Sequence, residues 1–291
     1  MSGDALVTIA VSALVLGSLY AVMALGLAVV WSSLGIFNFA HGLFMTLGAY
    51  VAWQVAAGAG WGLWPGIVAA VAAAMAVGAV ACELLVRPFL GRKDVVLVAV
   101  ITTLAGATLI ENGVLLAWGG RPKQLPPLAT GTVNLFGAAL SAHEAVIVAI
   151  TPLILLAVWL FLGRTRLGAA LRAVAQNHEA ALLMGLPAAR LYALAFALAA
   201  GLAAIAGIFL GAIRFMSPAM GGDPLLKAMV VVIFGGVARF AGPVVAAYLI
   251  GLIEAVSTYA IGLYWTPSVL FLFMIGTLML RPQGLFGGAR R

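Results

Sequence analysis

The chain has 291 residues, 65% of them apolar and only 8% charged, with a mean hydropathy of +1.20. Soluble domains carry roughly 25% charged residues, so a water-covered globule is excluded and the long apolar runs indicate an all-α, polytopic membrane protein. The net charge of +7 is scattered over short loops, with no run that suits nucleic acid, and the single Cys82 excludes disulfide frameworks and thiolate metal sites.

Residues 1–4 lack the basic start of a cleaved leader, so the first apolar block, about Ala5 to Trp31, is expected to be a retained span. A polar, Gly-rich stretch from Ser32 to Gly42 follows, and a second block runs to about Ala57. Gly58 to Gly60, with Trp61, Trp64 and Pro65, reads as a turn with interfacial aromatics. The third block ends at Arg87-Pro88, and Arg92-Lys93-Asp94 is the first basic loop, hence cytoplasmic. The fourth block, Val95 to Trp118, leads to a long loop whose Arg121 and Lys123 offend the positive-inside rule; the other loops nevertheless place it outside. The fifth block, Glu144 to Leu162, ends at the densest basic cluster: Arg164, Arg166, Arg172 and Arg190. Leu191 to Ile213 crosses next, with Gly207 and Gly211 as a close-packing pair. After the irregular segment Arg214–Pro224, a short block near Leu225–Val237 is broken by Gly235-Gly236 and Gly242-Pro243. Val244–Leu263 and Trp265–Leu280 close the series, and Arg281 onward, including Arg290 and Arg291, forms a cytoplasmic tail. This gives about eight or nine spans, with the N-terminus outside and the C-terminus inside.

Two interruptions look alike: Phe37-Asn38-Phe39-Ala40-His41-Gly42, and Phe215-Met216-Ser217-Pro218-Ala219-Met220-Gly221. The helices before them run in opposite directions in this topology. An inverted repeat with discontinuous helices beside a solute path would produce that pattern; two ordinary loops at span ends would too. Asn38, His41 and Ser217 are therefore candidates for the translocation path, with helix capping as the alternative for the first two. Ionisable or amide groups inside apolar blocks add Glu111, Asn112 and Glu254, although hydrogen bonds within the bundle would also account for them. Glu83–Arg87 and Asp223–Lys227 have i,i+4 spacing and read as local pairs. His41, His143 and His178 lie in separate segments, and no hydrolase, metalloprotease or nucleotide-binding motif is present. No catalytic or metal site is expected.

Between Leu167 and Met184 the composition favours one helix, ended by Gly185 with Pro187 beyond it. Glu179, with the small Ala180 and Ala181 beside it, would make a knob for a partner's groove. An interfacial helix held only by snorkelling arginines is the alternative.

Glu179-Ala180-Ala181-x-x-x-Gly185 resembles the EAA loop of ATP-binding-cassette (ABC) importer permeases, without a clear downstream Ile-x-Leu-Pro part. Gly17 to Gly26, Gly35 to Gly42 and Leu47 to Tyr50 resemble branched-chain amino-acid permeases of the LivH type; so do Arg164 to Gly168, Arg172 to Asn177 and Leu280 to Phe286. Arg239 in a Gly-rich turn and the carboxylate of Glu111 depart from that pattern. The resemblance implies an ABC importer permease fold in a single transmembrane domain, residues 1–291, in the bacterial inner membrane. Residues 164–190 would then be the cytoplasmic coupling loop, with Arg172, Glu179, Ala180, Ala181 and Gly185 at the ATPase contact. It implies no cofactor on this chain, ATP and Mg on two ABC ATPase subunits, a second related permease subunit as a heterodimer, and a periplasmic solute-binding protein. The solute would be a branched-chain amino acid or a relative such as urea, an amide or an aromatic acid. A proton-coupled secondary transporter using Glu111 or Glu254 is the rival reading.

Overall fold

The computed structural model describes residues 3–92, 94–135, 138–237, 240–281 and 284–286. Lys93 of the first basic loop, Arg239, and Arg290 and Arg291 of the tail lie outside the described residues. The helices are α1 Gly3–Leu34, α2 His41–Trp53, α3 Leu63–Ala81, α4 Val95–Trp118, α5 Ala142–Arg164, α6 Arg166–Gln176, α7 His178–Leu183, α8 Ala188–Ile213, α9 Gly222–Gly235, α10 Ala241–Ile261 and α11 Thr266–Leu280. Wider π turns extend α2 through Gln54–Gly58 and α3 through Cys82–Val86. Each of the apolar blocks became a helix among the described residues. Six are long and apolar enough to cross a membrane: α1, α3 with its extension, α4, α5, α8 and α10. The shorter α2, α9 and α11 account for the remaining blocks.

The all-helix expectation missed one feature. The loop after α4 holds a two-stranded antiparallel hairpin, β1 Thr132–Leu135 and β2 Ala138–Ser141, with Val133 opposite Leu140. Ser141 and Glu144 then form a capping box at the start of α5: Glu144 accepts from the Ser141 N–H, and Ser141 Oγ accepts from the Glu144 N–H.

The chain divides into two compact units. In the unit made of residues 26–126 and 156–225, α8 is the axis. Its Ala and Gly residues admit neighbouring backbones. A Cβ on Gly207 would lie 2.0 Å from the Met45 carbonyl oxygen, and one on Gly48 would meet Ala204 at 2.4 Å. Small residues are what let helices pack closely in lipid, where the hydrophobic effect does not drive helices together. Lys123 of the long loop is anchored locally. Its Nζ donates to the Trp118 carbonyl at 2.9 Å, at the C-terminal end of α4, and lies over the Trp53 ring. A cation there complements the negative end of the helix dipole.

The other unit comprises residues 1–25, 127–155 and 226–291. Here Gly17 of α1 meets Tyr248 and Gly251 of α10. The α9 helix has 14 residues, about 21 Å at 1.5 Å per residue, short of a ~30 Å hydrocarbon core. Its last carbonyls need partners from elsewhere. The tail supplies them: Leu285 N–H donates to Phe234 O at 2.8 Å and Phe286 N–H to Gly235 O at 3.2 Å. Gly284, at φ +77, makes the turn that aims these two donors.

Candidate functional site

The polar segment 164–190 is two helices, not the single one expected. Asn177 separates them: its backbone is extended (φ −155, ψ 105), and its side-chain oxygen accepts from the Ala180 N–H at 2.9 Å. Asn competes for backbone groups and favours helix caps over interiors. Thr165 does the same at the start of α6, accepting from Gly168 N–H at 3.0 Å. Gly185 ends α7 as the sequence suggests. It sits at φ +79, its N–H donates to Leu182 O, and the Leu186 N–H reaches back to Ala181 O at 3.1 Å, a Schellman closure. Replacing Asn177 with Ala should cost about 1 kcal/mol of local helix stability; faster amide exchange at Ala180 and Ala181 in the intact protein would register it.

The two faces of α7 differ. Ala181 is turned inward and buried beside Leu171, Val174 and Leu191. His178 Nδ1 is hydrogen-bonded to the Tyr192 hydroxyl at 2.7 Å, and the rings stack. These contacts fix α7 to the start of α8. Glu179 and Ala180 face out, as does Arg172 on α6. Beside them Leu183 is 89% exposed and Met184 82%. Sequence reasoning counted Leu183 and Met184 only as helix formers. Their signal was there: two large apolar side chains in a basic, polar segment, directly before the glycine that ends the helix. A polar loop with an apolar tip and a rigid inner face can be gripped by another protein and can pass displacement to α8.

The two interruptions meet within the same unit. A Cβ on Gly221 would lie 1.9 Å from the Gly42 carbonyl oxygen, and one on Gly42 would lie 2.3 Å from Gly221 O. Asn38 and His41 are both buried at the start of α2. Asn38 caps the turn, its side-chain oxygen accepting from Ala40 N–H at 3.0 Å. The His41 ring lies against Gly26, where an added Cβ would meet it at 2.9 Å. Ser217 is half-buried in the second break, and its carbonyl accepts from Met220 N–H. Glu111 and Asn112 are elsewhere, toward the C-terminal end of α4; Asn112 is exposed, and its amide donates to Thr108 O one turn back.

In the other unit Glu254 is 2% exposed. It accepts from Lys227 Nζ at 2.7 Å and from the Tyr20 hydroxyl at 2.5 Å, tying α1, α9 and α10 together. The spacing rule gave Lys227 to Asp223; the fold also brings it to Glu254. The other local pair is present, Arg87 donating to Glu83 one turn back. His143 holds the loop before it, accepting from Leu128 N–H at 3.1 Å.

A family model described as "Branched-chain amino acid transport system / permease component" matches residues 9–280. The chain is 32% identical to the high-affinity branched-chain amino acid transport system permease protein LivH of Escherichia coli (strain K12), covering 94% of this chain and 92% of that protein. It is 29% identical to BraD of Pseudomonas aeruginosa, a protein with the same description, over 95% of this chain and 94% of that one. It is 27% identical to the probable branched-chain amino acid transport permease protein LivH of Methanocaldococcus jannaschii, over 94% and 90%. No solved structure matches.

Proposed function

The chain belongs to the branched-chain amino acid transport permease family, and from that premise we propose how its parts share the work of import. It is a membrane-spanning permease subunit of an ABC importer, a transport component and not an enzyme, and it works with ATPase and solute-binding partners in the inner membrane. Its solute is a branched-chain amino acid, with urea, amides or aromatic acids as neighbouring chemistries. It pairs with a second, related permease chain, two ATPases bind below, and ATP and Mg stay on those partners. The N-terminus faces outward and residues 164–190 face the cytoplasm, within a single transmembrane domain.

The observation that carries this reading is the two-faced α7. Glu179, Ala180, Leu183 and Met184 meet the ATPase, with Arg172 beside them. Ala181, His178 and the Gly185 turn bind the same helix to α8. Displacement of α7 then enters α8, and α8 meets α2 through Gly207. Coupling of this kind needs contiguous packed elements, and these are contiguous. The breaks joined at Gly42 and Gly221 are where such movement would open a path, with Asn38, His41 and Ser217 as weak polar contacts. Glu111 and Asn112 lie along α4 as further candidates. Glu254 is engaged by Lys227 and Tyr20, a holding role better than a solute or proton site.

Co-reconstitution into vesicles with the cognate ATPases and binding protein tests the reading. Leucine uptake should require ATP on the ATPase side and persist when a protonophore collapses the proton gradient. Uptake driven by that gradient, without ATPases, would overturn it in favour of a proton-coupled transporter.

A further inference from the structure

Asn38 Nδ2, Thr46 Oγ1 and Tyr50 Oη are buried with no hydrogen-bond partner among the described residues. Their residues are at most 1% exposed. Buried polar groups are normally paired, and an orphan bears its full desolvation cost. Thr102, Thr103, Thr108 and Thr277 each bond the carbonyl one helical turn back; Thr46, also in a helix, does not. Phe in place of Tyr50 and Val in place of Thr46 would keep the shape without that cost, so packing does not call for hydroxyls here.

The orphans share a location. Gly42, Thr46 and Tyr50 follow one another at four-residue spacing and so lie along one side of α2. That side runs along the second break. Gly42 meets Gly221, and a Cβ on Gly221 would stand 2.9 Å from Thr46 Oγ1. Tyr50 is buried in one cluster with Met216 and Ile208. Asn38 stands just before α2, in the first break. Hydroxyls both donate and accept, and the Asn amide nitrogen donates. An amino-acid zwitterion needs both, donors for its carboxylate and acceptors for its ammonium, and uncharged partners hold it without trapping it. On the import reading above, we infer that the seam between α2 and residues 216–221 is the solute path in its closed form. Thr46 and Tyr50, with the Asn38 amide at the end of the row, hydrogen-bond an amino-acid zwitterion when the seam parts.

The test uses the assembled transporter in vesicles, with leucine as the solute. Thr46→Val and Tyr50→Phe should each lower kcat/KM for uptake about fivefold, the loss of one uncharged hydrogen bond. Both variants should retain the ATPases and unfold at a denaturant midpoint equal to or above the parent's. A role in holding the fold, through a bridging water for example, predicts the opposite: a lower midpoint in both variants, which would overturn the assignment. Accessibility gives a second readout. In a Cys82→Ala background, Thr46→Cys should react with a small charged thiol reagent during ATP-driven turnover, and more slowly when leucine is in excess. A thiol that stays unreactive throughout turnover would overturn the assignment. Parent uptake that needs no ATP would instead remove the import reading itself. ATP-driven parent uptake, matched by both hydroxyl variants, would remove only the role given to Thr46 and Tyr50.

Discussion

Lys227→Met is expected to destabilise the protein by about 3–5 kcal/mol, the usual cost of removing one partner from a buried ion pair. Glu254 is 2% exposed and, among the described residues, keeps the Tyr20 hydroxyl when the ammonium is gone. The carboxylate cannot turn to water, because it is enclosed where α1, α9 and α10 meet. Adding Glu254→Gln to Lys227→Met should restore most of the loss. The amide is neutral, and its oxygen still accepts from Tyr20. Unfolding of the purified chain in mixed micelles, followed by circular dichroism against denaturant, separates the two variants. If single and double variants unfold at the same midpoint, the ion pair is not what holds these helices.

Leu183→Asp should be the most damaging single change to transport. Leu183 is 89% exposed on a segment fixed rigidly from behind, so the change leaves the chain's own core untouched. At an interface, a large apolar side chain in a partner's pocket is worth about 2–4 kcal/mol, a loss of roughly 30- to 700-fold in affinity. Glu179→Lys, beside it, should likewise abolish uptake by reversing a charge at the contact. Both variants should reach the membrane at normal levels, fail to retain the ATPases on purification, and lose solute-stimulated ATP hydrolysis. ATPase retention equal to the parent's in Leu183→Asp would remove α7 as the coupling element.

The helices were legible because lipid allows so few solutions. Backbone groups with no water must pair within a segment, so each apolar block of the sequence became a helix. Which helix would be enclosed was not legible. The α4 and α8 helices are both strongly apolar, yet α8 is largely buried and α4 is mostly exposed. In soluble proteins polarity marks the outer face; here hydrocarbon surrounds the bundle, and only the glycine and alanine positions hint at contact. Gly207 was readable on those grounds. In the candidate site, Gly185 was readable because positive φ favours glycine. Asn177 was missed because helix-forming neighbours outweighed a residue whose side chain caps. Lys227 was given to Asp223 by a rule that looks one turn along a helix, and Glu254 comes from a different helix. The exposure of Leu183 and Met184 could be established only once Ala181 was seen to take the inward position.

The hydrogen bonds from Leu285 and Phe286 to the end of α9 also tie together parts of the chain that are far apart in sequence. The carbonyls of Phe234 and Gly235 accept from a segment that lies beyond both α10 and α11 in the chain. Residues 284–286 therefore draw a loop shut around α10 and α11, in the manner of a clasp. Without residues 284–286 both donors would be missing, so this end of α9 closes only when that segment is present.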